Sequence, residues 1–189
     1  MIRDLVIKNR SYRRFYQDEK IDRKTLEELV DLARLSASAS NNQPLKYILC
    51  NDPETNALIC STIGWAGALK DWDGPVEGER PAAYIAVLGD KQITERFLVD
   101  HGIAGQSILL GAVEKGLGGC MLMAIKREQL FKILNIPEHC SLLMLIALGK
   151  PKERVVVDEC TSPSDTQYWR DEQQTHHVPK RKLSDIIIG

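Results

Sequence analysis

Hydrophobic and small residues repeat at helical spacing across residues 100–113, and they occupy almost every face of the helix that this spacing predicts. Ile103, Ser107 and Leu110 form one line along this helix, and other apolar or small residues form two more. A helix of this kind is expected to be buried on nearly all sides. Each glycine in its interior costs about 1 kcal/mol relative to alanine, so we expect another backbone to approach closely.

The residues after this helix predict a turn and then an interior strand. The glycine-rich segment 116–119 is expected to end the helix, and the apolar run 120–125 has the length of a strand. Asp22 and Asp52 are placed to cap two further helices, and Pro53 suits a first helical position. Other strands are predicted at 47–50, 82–88 and 142–148, and helices at 4–9, from 22, at 52–62 and at 126–135. This alternation indicates an α/β or α+β fold.

Composition limits the possible classes of protein. The 189 residues fit a single domain, 1–189, and a net charge of -1 argues against nucleic-acid binding. The sequence shows no signal-peptide pattern and no apolar run long enough to cross a membrane. Five cysteines, an odd number without a CxxC pair, indicate a reducing cytoplasm rather than disulfides or zinc.

Three polar segments are candidates for binding. In residues 10–15, arginines flank a serine, which suits phosphate oxygens, although a solvated helix end is the alternative. The small polar loop 36–44 could hydrogen-bond a planar ligand or make turns to its own backbone. The loop 63–75, with two tryptophans, could plug the core or cover a ligand. Segment 155–189 is extended and polar, and we interpret the pair His176 and His177 within it as solvated.

Motifs for side-chain catalysis or metal binding are not visible in the sequence. The Gly-Leu-Gly-Gly segment lacks the third glycine and the strand–helix order of a dinucleotide fingerprint. The sequence has no GxxxxGK[ST] phosphate loop, no GxSxG serine and no metal-ligand spacing. If the protein is an enzyme, a bound organic cofactor must therefore supply the chemistry.

Four separated motifs together resemble those of one family. Residues 10–15 resemble an R-S-x-R-x-F phosphate motif, and residues 38–44 resemble an S-x-x-N-x-Q-P loop. Asp100, Ala104 and Gln106, with residues 116–120, resemble a central helix and the turn after it, and Lys180-Arg181 resembles a C-terminal basic pair. The sequence is similar in these features to the nitroreductase family of flavin mononucleotide (FMN) oxidoreductases, over nearly the whole chain.

The resemblance implies a fold, an assembly and a set of cofactor contacts. The fold would be α+β, with a mostly antiparallel central sheet flanked by helices, in an intertwined obligate homodimer whose segment 155–189 wraps the partner subunit. Two flavins would lie at the subunit interface. The implied contacts with the phosphate are Arg10, Ser11, Arg13, Lys180 and Arg181. The implied contacts with the ring or the ribityl chain come from the other subunit and are Ser38, Asn41 and Gln43. Met121, Leu122, Met123 and Ala124 would run along the ring edge.

The implied reaction needs no catalytic side chain. NADH or NADPH would pass hydride to flavin N5, and a small flat acceptor such as a nitroaromatic or a quinone would receive it in a ping-pong mechanism. Two alternatives remain open. One is another reaction on the same scaffold, reductive dehalogenation or flavin breakdown, and the other is a non-catalytic flavin- or nucleotide-binding module.

Overall fold

Helices and strands alternate through most of the chain, as the hydrophobic pattern predicts. The computed structural model describes residues 1–162 and 164–189. The α-helices are α1 (Ile2–Lys8), α2 (Arg23–Arg34), α3 (Pro53–Cys60), α4 (Asp100–Glu114) and α5 (Arg127–Ile133). The strands are β1 (Phe15–Tyr16), β2 (Leu45–Cys50), β3 (Ala83–Asp90), β4 (Gly118–Leu122), β5 (Cys140–Pro151), β6 (Val155–Glu159), β7 (Trp169–Arg170) and β8 (His176–Lys180).

The central sheet is antiparallel and has helices on both faces. Its strands run β1-β5-β3-β2, and β4 also pairs with β5. All eight residues of β3 are buried, because successive side chains enter opposite cores. Ile85 packs with α2 and α4, whereas Tyr84 packs with Ile59 of α3 and Leu130 of α5. The α+β class and the mostly antiparallel sheet are therefore confirmed.

Two helix starts follow the capping prediction. The carboxylate of Asp22 accepts a hydrogen bond from the amide of Thr25 at 2.7 Å, and that of Asp52 accepts one from Thr55 at 2.8 Å. Each bond satisfies an amide that the first turn of a helix leaves without a partner.

The C-terminal segment forms a second, small sheet. Strand β6 runs parallel to β8, and β7 pairs antiparallel with the other side of β8. This small sheet is tied to the rest of its own chain by Arg170, whose guanidinium pairs with Glu153 at 2.8 Å. Wrapping of a partner subunit by residues 155–189 stays a prediction.

Helix α4 is less enclosed than the sequence pattern suggests. In the single chain, Gly102, Ile103 and Gln106 are exposed, so the expected burial on nearly all sides is not reached within one subunit and stays a prediction for the assembly. Within one chain, the atoms nearest to Gly105 belong to side chains, and the expected close approach of another backbone stays a prediction for a second subunit. A Cβ on Gly105 would meet the side-chain ends of Met144 at 2.6 Å and Met121 at 2.9 Å, and one on Gly102 would meet nothing within 4 Å.

The turn after α4 is shorter than predicted, and the strand begins earlier. Gly116 alone adopts a left-handed backbone, with φ of +73°, whereas Gly118 and Gly119 already belong to β4. A Cβ on Gly119 would collide with the carbonyl oxygen of Ala147 in the neighbouring strand β5. These glycines therefore permit close strand packing rather than a turn. The predicted strand 120–125 extends only to Leu122.

Candidate cofactor-binding site

The N-terminal basic cluster is placed by β4. After α1 ends, Ser11 forms an isolated bridge with Gly119, and the amide of Tyr12 donates to the Gly119 carbonyl at 3.0 Å. The approach of this segment explains why β4 begins with glycines, since a Cβ on Gly118 would meet the Tyr12 ring. The basic cluster is thereby fixed against the edge of the central sheet.

Beside this cluster lies a cavity of about 310 Å³, which we call the basic cavity. The C-terminal sheet closes its other side. Its lining consists of Asn9, Arg10, Ser11, Arg13, Gln106, Leu109, Met121, Tyr168, His176, Val178 and Lys180. Three of these side chains are cationic and, among the described residues, none is acidic. The charge of the lining therefore suits an anion.

Arg13 is held firmly within the basic cavity. One guanidinium nitrogen, Nη1, donates to the carbonyl of Ser11 at 3.1 Å and lies 3.3 Å from Nε2 of His176. The guanidinium also lies over the ring of Tyr168, with its central carbon 4.9 Å from the ring centroid. Such contacts restrict the side chain to one orientation before any ligand binds.

His176 is a buried, neutral member of the site. Only 1% of the residue is exposed. Burial, followed by the nearby charges of Arg13 and Arg170, lowers the pKa of His176 to about 4. Because arginine has only donors, Nε2 of His176 must accept the Arg13 bond, and the ring proton belongs on Nδ1. The interpretation of this residue as solvated is wrong, because its strand packs against the N-terminal cluster.

Two buried donors, on residues that line the basic cavity, lack a partner among the described residues. They are Nε of Arg10 and Nδ1 of His176. The rest of the Arg10 guanidinium is anchored, since Nη2 donates to the carbonyl of Val6 at 2.8 Å. A buried donor without a partner costs about 1–3 kcal/mol. A phosphate, with several acceptor oxygens, would remove that cost, so these residues fit the phosphate end of FMN.

The polar loop lies in a different cavity, which we call the loop cavity. It has a volume of about 140 Å³, and Ser38, Gln43, Tyr47, Asp100 and Ala104 are among its lining residues. Ser38 Oγ donates to the carboxylate of Asp100 at 2.6 Å and accepts from the amide of Gln43 at 2.9 Å. The Ser38 hydroxyl thus makes the local contacts that the sequence left as an alternative to ligand binding.

The predicted site residues therefore divide into separate groups. Five of them line the basic cavity: Arg10, Ser11, Arg13, Met121 and Lys180. Arg181 is exposed just after Lys180 and is not among the lining residues, and Asn41 is exposed with a left-handed φ of 55°. Leu122 is buried in the core, whereas Met123 is 59% exposed and Ala124 is also exposed. One chain does not bring the loop residues to the basic cavity.

Comparison with known proteins identifies the family. The model of the nitroreductase family matches residues 7–86 and 66–150. This chain belongs to the nitroreductase family. An NADH dehydrogenase from Thermus thermophilus is 30% identical over 181 residues, covering 78% of this chain and 85% of that protein.

Solved structures agree with this nitroreductase assignment. A nitroreductase family protein from Clostridium novyi is 25% identical and superposes with a TM-score of 0.67, covering 80% of this chain and 87% of that chain. A structure from Exiguobacterium sibiricum that contains FMN has the same fold, with a TM-score of 0.67 and 17% identity. It covers 81% of this chain and 89% of its own.

Several residues of the candidate site were missed by sequence reasoning. Tyr168 and His176 line the basic cavity although they lie in a polar segment without a clear period. Glu153, which holds the backbone of Arg13, looks like an ordinary charged residue in a lysine-rich turn. The nearest signal in the sequence is the pairing of aromatic residues with basic ones at 168–170.

Neither a membrane-spanning helix nor a metal cluster occurs in the described parts of the chain. Of the helices in residues 1–162 and 164–189, none is long and apolar enough to cross a bilayer. The same residues contain no group of three or more His, Cys, Asp and Glu side chains that could hold a metal ion.

Proposed function

We propose that this nitroreductase family member is an FMN-dependent oxidoreductase that takes electrons from NADH or NADPH and reduces a small flat acceptor, such as a quinone or a nitroaromatic. The observation that carries the proposal is the basic cavity, which is lined by three cationic side chains and, among the described residues, by no acidic one. The FMN in the E. sibiricum structure supports the choice of cofactor.

Four basic residues hold the phosphate in this proposal. Arg10 and Arg13 supply guanidinium donors, Lys180 supplies an ammonium, and Arg181 adds charge beside it. The hydroxyl of Ser11 is a further donor. Charge-assisted bonds of this kind are roughly twice as strong as neutral ones, so they would account for most of the preference for a phosphorylated flavin.

The remaining part of the site orients the reactants. When bound, FMN supplies hydride transfer through N5, from the nicotinamide and then to the acceptor. Met121, Leu122, Met123 and Ala124 are proposed to run along the ring edge, with the amide of Met123 near N5. Met123 follows the last residue of β4 and is exposed. The protein contributes orientation and electrostatics rather than a side-chain acid.

A homodimer is the proposed working form. Ile103 on α4 and four residues near the C-terminus are exposed in the single chain: Leu183, Ile186, Ile187 and Ile188. Exposed large apolar residues that form a contiguous patch are typical of protein interfaces, and the proposal is that the second subunit covers these five. In the proposed dimer, Ser38, Asn41 and Gln43 of a second subunit would complete the flavin site that one chain leaves without them.

The proposed location is the cytoplasm. All five cysteines are free thiols, and three of the five are at most 4% exposed. A reducing compartment keeps thiols in this state.

The visible spectrum of the purified protein tests the cofactor. A flavin spectrum is expected, and the released cofactor should have the mass of FMN. Initial rates with NADH or NADPH and a quinone should give parallel double-reciprocal lines, because donor and acceptor use one site in turn. A colourless protein that cannot be loaded with FMN would refute the proposal, and intersecting lines would refute the shared site.

Sedimentation at low protein concentration tests the assembly. We expect a dimer that retains its flavin at every concentration at which the protein stays folded. A compact monomer with a full complement of flavin would contradict the dimer and the contribution of the loop residues from a second subunit.

A further inference from the structure

Glu153 is a buried carboxylate between the N-terminal basic cluster and the C-terminal sheet. Its side chain has no exposed surface. One oxygen, Oε1, accepts hydrogen bonds from the backbone amides of Arg13 and Arg14, the second at 3.2 Å. The other oxygen, Oε2, accepts from Nη2 of Arg170 at 2.8 Å. The carboxylate thus joins two segments that are far apart in the sequence.

A residue whose role was only to hold these two segments together would not need a charge. Burying a carboxylate is costly, and well-packed apolar residues often replace buried ion pairs without loss of stability. What a carboxylate adds is direction, because its bonds fix the orientation of the groups that donate to it. Two of those donors are consecutive backbone amides, and one of them belongs to the residue whose side chain enters the basic cavity.

The other end of Arg13 is fixed by the same part of the chain. His176 in β8 accepts from its guanidinium, and the ring of Tyr168 lies beneath it. Glu153 holds the backbone, and the C-terminal sheet holds the guanidinium. Arg170 links the two supports, because it pairs with Glu153 and belongs to β7, which is hydrogen-bonded to β8.

We propose that Glu153 is a positioning residue for the phosphate site: it orients Arg13 towards the phosphate of the flavin and does not contact the phosphate itself. The identity of the ligand rests on the function proposed above. FMN and riboflavin differ only in the phosphate. The inference therefore makes the preference of the protein for FMN over riboflavin depend on Glu153.

The test compares both flavins in wild type and in Glu153→Gln. Glutamine keeps the shape but turns an amide donor towards Arg170 or towards the backbone amides. The dissociation constant for FMN is expected to rise about tenfold or more, the scale of one charged hydrogen bond. That for riboflavin should change by less than about twofold. Fluorescence titration of both flavins into the full-length protein gives the ratio.

Glu79→Gln is the matched control. Glu79 also forms a part-buried ion pair beside the basic cluster, with Arg14 at 2.6 Å and Lys152 at 3.1 Å, but it does not line the basic cavity. This variant should lose some stability and keep the wild-type preference for FMN. An equal fall in the preference in both variants would overturn the proposal, since any lost ion pair would then have the same effect.

Two further results would overturn the proposal. One is an unchanged FMN dissociation constant in Glu153→Gln, and the other is an equal loss of affinity for both flavins, which indicates a general structural role. If Glu153→Gln does not fold, Glu153→Asp decides the question. It keeps the charge but moves the carboxylate back by one methylene, so a smaller fall in FMN preference is expected, and an unchanged preference would contradict the proposal.

Failure of the proposed function would give a different result. Wild type would then bind neither flavin, or both equally. Inorganic phosphate would serve as the probe in that case, and it should raise the Tm of the wild-type chain and of Glu79→Gln but not that of Glu153→Gln. If phosphate shifts the Tm of Glu153→Gln as much as that of wild type, the positioning role is wrong whatever the ligand.

Discussion

The basic cavity and the loop cavity lie along the same helix, α4, but their polar groups are in opposite states. In the loop cavity, Ser38, Gln43 and Asp100 satisfy one another through short hydrogen bonds. In the basic cavity, Nε of Arg10 and Nδ1 of His176 are buried without a partner among the described residues. The first arrangement is complete without a ligand, and the second is not.

This difference separates the carboxylate of Asp100, which supports the polar loop, from the side chains that line the basic cavity. A closed network of polar groups makes a segment rigid, because each group loses a bond if the segment moves. An open set of buried donors keeps an energetic cost that a ligand can remove. A change at Asp100, which holds the loop through Ser38, should therefore appear mainly as lost stability, and a change at Arg10 or Arg13 mainly as lost binding.

The largest expected effect is that of Arg13→Ala on cofactor binding. Removing one charge-assisted donor from the phosphate should weaken FMN binding by about 1.5–3 kcal/mol. Titration of FMN into the flavin-free protein measures this change. Arg23→Ala is the control, because Arg23 is exposed and pairs with Glu27 on the surface of α2. Full flavin occupancy in both Arg10→Ala and Arg13→Ala at micromolar protein would show that the phosphate lies elsewhere.

A smaller effect, on stability, is expected from Asp100→Ala. The change leaves the Ser38 hydroxyl and the amide of Ala39 without the carboxylate that both contact, at 2.6 and 3.0 Å. The free energy of unfolding should fall by about 1–3 kcal/mol, as measured by urea denaturation.

Asp4→Ala is the control for that measurement. Asp4 pairs only with the exposed terminal amine in the contacts described, at 3.0 Å, and an exposed pair contributes less than about 1 kcal/mol. If Asp100→Ala were no more destabilising than Asp4→Ala, the loop cavity would not be a closed scaffold.

Local features of the fold could be read from the sequence, and contacts between distant segments could not. The caps at Asp22 and Asp52 depend on an amide three residues away, so the sequence alone predicts them. The early start of β4 depends on Tyr12 and on Ala147, which are remote in the chain. The turn propensity of glycine assigns Gly118 and Gly119 to a turn, and only the position of the neighbouring strand β5 shows that they belong to a strand.

The same limit applies to the candidate site. Arg10, Ser11 and Arg13 were predicted because their spacing forms a motif, and one cavity contains all three. Glu153 and His176 carry no motif, since their roles arise only where the small sheet packs on the N-terminal cluster. A polar segment without periodicity gave no signal that one of two adjacent histidines would be buried.

Those two adjacent histidines give the smallest and most specific prediction, because the fold lowers the pKa of His176 and raises that of His177. Both ring nitrogens of His177 contact carboxylates, Nδ1 with Asp158 at 2.8 Å and Nε2 with Asp171 at 3.3 Å. Two acceptors require two N–H groups, so this geometry belongs to the imidazolium. Burial opposes the charge, but the bonds to both carboxylates outweigh it and raise the pKa of His177 above 6.5.

A pKa raised in the folded state stabilises the fold below the ordinary value of about 6.5 and loses that contribution as the pH rises through the folded value. Wild type should therefore exceed His177→Gln in unfolding free energy by up to about 1 kcal/mol near pH 6, the scale of a surface ion pair, and the gap should close as the pH rises through the raised pKa of His177. His176, with its pKa lowered to about 4, reduces stability below the ordinary value. It is present in both proteins, so its contribution cancels in the difference between them. Urea denaturation at several pH values measures the gap, and parallel profiles for the two proteins would show that His177 is not charged between its two carboxylates.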